Sequence, residues 1–91
     1  MAKLKTKHIV VSENELVHLV KSDIDRVYLK VHNSEEHGVS IRIDGTDTSV
    51  NANSGRLHPG EELCLQNQAS KVDIWCMSDS LAYVDIIEVI G

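Results

Sequence analysis

The stretch Gly55-Arg56-Leu57-His58-Pro59-Gly60-Glu61-Glu62-Leu63-Cys64-Leu65 contains the single proline of the 91-residue chain. We interpret Pro59-Gly60 as the centre of a type II turn, because proline presets φ at the second turn position and glycine accepts a positive φ at the third. Apolar side chains lie on both sides, Leu57 before the turn and Leu63 and Leu65 after it. We therefore expect the turn to redirect the chain between two strands that return to one core.

Apolar and polar residues alternate with period two on both sides of this stretch. That pattern, together with many β-branched residues and frequent turn residues, is typical of an all-β sandwich or barrel. The predicted fold is a single small antiparallel β-sandwich, jelly-roll or Ig-like, of about eight short strands. The predicted strands cover residues 8–12, 15–20, 27–32, 39–44, 62–66, 72–77 and 81–90, with residues 48–53 as an edge strand or a loop.

Strand parity predicts which side chains face the core. Residues 27–32 and 39–44 alternate most cleanly, and we predict that these two strands pair antiparallel. The residues expected to be mostly buried are Val27, Leu29, Val31, Val39, Ile41, Ile43, Leu63, Leu65, Val72, Ile74, Val84 and Ile86.

Charge is distributed unevenly along a chain whose net charge is −5. Residues 1–7 carry Lys3, Lys5 and Lys7 and no acid, which predicts a basic N-terminal arm that attaches to an acidic partner surface, or else a frayed, solvated start. Residues 8–91 form the predicted β-sandwich domain. The acidic body argues against nucleic acid as a partner, and no apolar run approaches the ~20 residues that cross a membrane.

The chain contains histidine, cysteine and acidic residues, but not at the spacings that a metal site or a catalytic site requires. Among five histidines only His32 and His37 approach the spacing of a zinc site, and although Glu35 and Glu36 lie between them, a third ligand has no local support. The Asp44–Asp47 stretch fails the pattern of a calcium loop and fits a turn. Cys64 has no recognisable base or nucleophile elbow around it. We therefore predict no catalytic residues, no metal and no cofactor, and expect a protein that is not an enzyme.

The two cysteines, Cys64 and Cys76, lack the paired spacing of a disulfide scaffold. We expect both to be buried, reduced thiols that pack as small hydrophobic side chains.

Strand alternation predicts that all three aromatic residues of the chain point away from the core. Tryptophan, tyrosine and methionine are frequent at interface hot spots, so this parity predicts a partner interface. Two alternatives remain open: both parities face the two sides of a closed sandwich edge, or the first two strands cover this surface. The predicted interface residues are Tyr28, Trp75, Met77, Tyr83 and Ile87.

The order of strands and turns resembles that of small accessory proteins in the virions of tailed bacteriophages. The resemblance extends over about two-thirds of the chain, from Val27 onward, and includes a strand ending in Asn33-Ser34, the Leu57–Glu61 turn, and a later strand with Trp75. A closing strand follows, with the core Val84-Asp85-Ile86 and with Glu88 near its end. Residues 1–26 lie outside the resemblance.

This resemblance implies a non-enzymatic β-sandwich that decorates or cements a capsid, made in the host cytoplasm and located on the virion. The implied partners are the major capsid protein or another virion protein, and further copies of the chain in a homo-oligomer, with a trimer favoured. The alternative is a receptor- or glycan-binding module of a phage fibre or surface protein. The low aromatic content, three residues in all, weighs against stacking on sugars.

Overall fold

The computed structural model describes residues 2–36, 38–45 and 55–91. Within those ranges the chain forms one short 3₁₀ helix and eight strands. The helix is Asn67–Lys71, and the strands are β1 (Lys3–Val11), β2 (Val17–Val20), β3 (Arg26–Asn33), β4 (Ile41–Asp44), β5 (Gly55–Leu57), β6 (Glu62–Gln66), β7 (Ile74–Ser78) and β8 (Ala82–Ile90). The edge or loop predicted over residues 48–53, the second half of the Asp44–Asp47 turn and His37 lie outside the described residues.

The strands form two four-stranded antiparallel sheets packed around one core. The first sheet has the order β1-β8-β3-β6 and the second has the order β2-β7-β4-β5. This order is that of a jelly roll, in which eight strands form two sheets. The prediction of an all-β sandwich with about eight short strands is therefore confirmed, and the topology is the jelly-roll alternative.

One predicted pairing is wrong: β3 and β4 lie in different sheets. β3 pairs with β6 and β8, whereas β4 pairs with β5 and β7. Both strands alternate as predicted, but they face each other across the core rather than lying side by side. Alternation shows which side of a strand is apolar and does not show which strand lies next to it.

The core follows the predicted parity, with two exceptions. Val27 is 39% exposed because a bulge between Arg26 and Tyr28 turns Arg26 inward instead. Val72 is 40% exposed because it follows the 3₁₀ helix, and β7 begins two residues later, at Ile74. Of the other ten predicted core residues, Leu29, Val31, Ile41, Ile74, Val84 and Ile86 are buried, and Val39, Ile43, Leu63 and Leu65 are partly buried.

The predicted arm is not separate from the domain. Residues 3–7 form the first half of β1, and Lys3, Lys5 and Lys7 lie opposite Ile90, Glu88 and Ile86 of β8. The predicted boundary between residues 7 and 8 therefore falls inside a continuous nine-residue edge strand.

The Pro59-Gly60 turn has the predicted geometry. Gly60 has φ +83, and the Glu61 amide donates to the His58 carbonyl at 3.0 Å. Asn33, fully buried at the end of β3, fixes this turn. Its side-chain amide donates to the main-chain carbonyls of Val39 and Leu57. The main-chain carbonyl of Asn33 accepts a hydrogen bond from the Gly60 main-chain amide. The Asn33-Ser34 and Leu57–Glu61 stretches therefore belong to one structural unit that joins the two sheets.

The cysteines differ from the prediction in one respect. Cys76 is buried, and burial raises the pKa of its thiol to about 12. Cys64 is exposed, because it has the outward parity of the edge strand β6. Both thiols are free.

Candidate partner-binding faces

The five residues predicted to form one interface lie on two opposite outer faces. Trp75 and Met77 lie on β7 and face outward from the second sheet. Tyr28, Tyr83 and Ile87 lie on β3 and β8 and face outward from the first sheet. Strand parity gave the right direction for each side chain, since all five are partly exposed. The two sheets nevertheless divide the set, so that these residues cannot form one continuous patch.

On the outer face of the second sheet, Trp75 stacks on His18. The two ring centroids are 4.0 Å apart and the ring planes differ by 4°. His18 Nε2 also contacts Asp73 Oδ1 at 2.9 Å, and the Ser22 amide donates to the same carboxylate oxygen at 3.0 Å. The Ser22 amide and, after it, His18 lower the pKa of Asp73 below its usual range. The indole is therefore held in one orientation, with one ring face covered by His18.

Next to Trp75 on this face, Met77 lies opposite Arg42, which in turn lies opposite Arg56 on the edge strand β5. Arg42 Nη2 donates to Asp79 Oδ1 at 2.9 Å. Arg56 is exposed and forms no salt bridge within the described part of the chain. An oriented indole, a thioether and two guanidinium groups are the groups most enriched at binding hot spots. We call the patch formed by His18, Arg42, Arg56, Trp75 and Met77 the Trp75 face.

The outer face of the first sheet has a different character, because its polar side chains already pair with one another. Asp85, in the middle of the sheet, contacts His8 on one neighbouring strand at 2.5 Å and His32 on the other at 3.4 Å. The hydrogen bond from His8, and then that from His32, lowers the pKa of Asp85. These residues border a shallow depression of about 310 Å³ that Ile87 also lines.

The rest of this face is also internally paired. Lys30 Nζ lies 2.9 Å from Glu62 Oε2, and hydrogen bonding to that carboxylate raises the pKa of Lys30. The Tyr28 hydroxyl contacts the Cys64 thiol at 3.6 Å, and this contact raises the pKa of Tyr28. Partners within the chain pair the charged groups of this face, whereas Arg56 on the Trp75 face forms no salt bridge with any described residue.

Neither face forms a metal centre from the residues that the structure describes. No group of three or more histidine, cysteine, aspartate or glutamate side chains in those ranges is placed to hold a metal ion. His32 contacts Asp85, and its suggested companion, His37, is outside the described ranges. In the same ranges, no helix has the length and apolar character needed to cross a membrane.

A third feature is a basic cleft between the sheets, which the sequence analysis missed. It measures about 340 Å³ and is lined by Lys5 and Lys7 of β1 and by Lys21 from the loop after β2. Beneath it lies a buried ion pair, in which Arg26 Nε donates to Glu88 Oε1 at 3.0 Å. The regular spacing of lysines at positions 3, 5 and 7 was a usable signal, because alternate residues of a strand share one face.

Arg26 joins several segments around this cleft. Its guanidinium also donates to the carbonyls of Ser70 and Val72, at 2.7 and 3.2 Å, and to that of Lys21. The side chain thus connects β3, β8, the 3₁₀ helix and the loop after β2. Nothing in the local sequence distinguishes Arg26 from an ordinary exposed arginine, and the bulge that turns it inward is a tertiary feature.

Comparison with known proteins supports the fold. A solved structure described as the solution NMR structure of a de novo designed double-stranded β-helix aligns with TM-score 0.60 and 19% sequence identity, over 92% of this chain and 97% of that chain. At this identity the similarity shows the fold alone. Neither a protein-family model nor a curated protein matched the sequence. Over the residues that the structure describes, the chain is thus an eight-stranded jelly-roll sandwich whose second sheet presents Trp75 and two arginines on its outer face.

Proposed function

We propose that this protein is a non-enzymatic structural component of a tailed-phage virion that attaches to the particle through the Trp75 face. The observation that carries the proposal is the arrangement on that face: an indole held by stacking at 4.0 Å, with Met77 beside it and an exposed Arg56. Tryptophan and arginine are enriched among the residues that contribute most to binding energy, and a rigid aromatic ring loses little conformational entropy when a partner covers it.

The proposed partner is the major capsid protein or another virion protein, and the proposed location is the capsid surface. The resemblance of residues 27–88 to accessory virion proteins supports this choice of partner. A chain of 91 residues has a small core, so it gains stability from assembly. We propose that the protein acts as a homo-oligomer, with a trimer favoured.

Quantitative protein analysis of purified particles tests the proposal directly. The expected result is this chain in the particle fraction, at a copy number that matches the symmetry of the capsid. Its absence from particles that contain all the other structural proteins would refute a structural role in the virion. The alternative, a receptor- or glycan-binding module, predicts a low copy number and a specific ligand in a glycan or cell-surface screen.

A further inference from the structure

The jelly roll places a group of unpaired glutamates at one end of the molecule and a group of unpaired lysines at the other. The loops after β1, β3, β5 and β7 meet at one end, where the Asn14 amide donates to the Ser78 carbonyl and the Gly60 amide to the Asn33 carbonyl. The loops after β2 and β6 meet the end of β8 at the other, where the Asp23 amide donates to the Lys71 carbonyl. We call these the acidic end and the basic end, after the unpaired side chains that each presents.

The acidic end contains six acids and neither lysine nor arginine, in the described loop residues 12–16, 34–36, 38–40, 58–61 and 79–81. All six are exposed. Glu61 contacts His58, and Asp79 pairs with Arg42. In the described part of the chain, the remaining four form no salt bridge. These four are Glu13, Glu15, Glu35 and Glu36.

The basic end presents a matching set of cations. Four lysines there are exposed and form no salt bridge with any described residue: Lys3, Lys5, Lys7 and Lys21. Three of them line the basic cleft, together with the buried Arg26–Glu88 pair and with Asp23. Asp25 is exposed close by. Even with these acids included, lysine and arginine outnumber the acids that line the cleft.

We infer that the basic cleft receives the acidic end of a second copy of this chain, so that copies associate head to tail. Four unpaired glutamates at one end and four unpaired lysines at the other, offset in part by Asp23 and Asp25, are the complementarity that selects this occupant. A head-to-tail contact uses two different surfaces of each copy, so it closes into a ring or continues as a filament. Closure after three copies would give the proposed trimer. Of the residues of the Trp75 face, only His18 also lines the cleft.

A charge-swap experiment on the purified protein tests this contact without any virion. The first variant, Lys7→Glu with Lys21→Glu, reverses two charges of the cleft. Lys5 is left unchanged because it lies opposite Glu88 across the strand pair. The second variant, Glu13→Lys with Glu15→Lys, reverses two charges of the acidic end. Analytical ultracentrifugation at low and high salt measures self-association, and circular dichroism confirms that each variant is folded.

The wild type is expected to self-associate at low salt and to dissociate as salt screens exposed charges. Each variant alone should associate at least about tenfold more weakly, since like charges then meet. An equimolar mixture of the two should regain association, because each altered surface then meets its opposite. The matched control Lys30→Gln, outside the cleft, should behave as the wild type does.

Three results would overturn the inference: a wild type that stays monomeric at low salt, variants that associate normally, or a mixture without recovery. Weakened association of the cleft variant alone, with the acidic-end variant unaffected, would mean that another acidic surface of the second copy enters the cleft, and would reject the head-to-tail contact with the acidic end. Failure here leaves the proposed virion role intact, because that role is tested by particle composition.

Discussion

The buried ion pair is the residue-scale feature with the largest expected effect on stability. Arg26 is 2% exposed and donates to Glu88 and to three backbone carbonyls. Arg26→Met would leave Glu88 buried without its cation, and removing one partner of a buried pair costs ~3–5 kcal/mol. We expect a loss of that size in the free energy of unfolding, measured by urea denaturation.

The matched control for this prediction is Lys30→Met. Lys30 pairs with Glu62 on the outer face of the first sheet, where a partly exposed pair contributes less than ~1 kcal/mol. Similar losses of unfolding free energy in the two variants would contradict the structure, in which the Arg26–Glu88 pair is buried and the Lys30–Glu62 pair is partly exposed.

A second residue-scale prediction concerns Asp85, whose pKa His8 lowers by hydrogen bonding, with His32 as the second contributor. Because its folded pKa lies below that of the unfolded chain, about 3.9, Asp85 contributes stability above that pH. This contribution is lost as the pH falls through the folded pKa. Carbon-detected NMR titration should give a low midpoint for the Asp85 carboxyl in the wild type and a higher midpoint in His8→Ala. An unchanged midpoint would mean that the 2.5 Å contact is absent in solution.

Among the elements, the Pro59-Gly60 turn requires glycine because of its backbone conformation, and not because a larger side chain would lack room. Gly60 has φ +83, and a Cβ added at this position would meet nothing closer than 3.7 Å. Gly60→Ala should therefore cost ~1–2 kcal/mol, the penalty for placing an L-residue in the left-handed region. Gly55→Ala is the control, because Gly55 has ordinary strand geometry and a similarly distant neighbour at 3.7 Å. An equal effect of both changes on the free energy of unfolding would contradict the assignment of a type II turn.

The edge strand β1 covers one edge of β8 and is expected to stabilise the first sheet. Deleting residues 2–7 removes five consecutive pairings with β8, from Lys3–Ile90 to Lys7–Ile86, and uncovers the edge of β8. We expect the melting temperature to fall by more than about 5 °C, which corresponds to ~1 kcal/mol in a domain of this size. Replacing Lys3, Lys5 and Lys7 by glutamine keeps the strand and should leave the melting temperature nearly unchanged. A free arm would tolerate both changes equally.

Strand direction was predictable from this sequence, whereas sheet membership was not. Alternation in β3 correctly placed Leu29 and Val31 inward and Tyr28 outward. The same alternation could not reveal that β4, the next strand in the chain, crosses to the other sheet. Val27 was misplaced because a bulge shifts the parity at the start of β3, and a bulge depends on tertiary contacts.

At the scale of the whole molecule, the predicted interface divides because the sandwich has two outer faces. Trp75 and Tyr83 have the same outward parity, yet β7 and β8 belong to different sheets. The basic cleft escaped prediction for a related reason. Lys7 and Lys21 are far apart in sequence and meet only where β1 and the loop after β2 border the same opening. The residue types alone indicated which side chains are suited to an interface. The sheet topology determines which of them lie on the same face.

The two outer faces can be compared directly through paired alanine variants. Trp75→Ala with Met77→Ala removes the centre of the Trp75 face, and Tyr83→Ala with Ile87→Ala is the matched change on the opposite face. Loss of the His18 stack should cost only ~0.5–1.5 kcal/mol, so the first variant should remain folded. A hot spot contributes at least ~2 kcal/mol to binding, which is roughly a thirtyfold change in Kd. Sedimentation with particles that lack the protein should therefore show at least that loss of affinity for the first variant and little change for the second.

Attachment lost only in the second variant would move the site to the first sheet. Unfolding of the first variant would show that Trp75 supports the core instead of binding a partner.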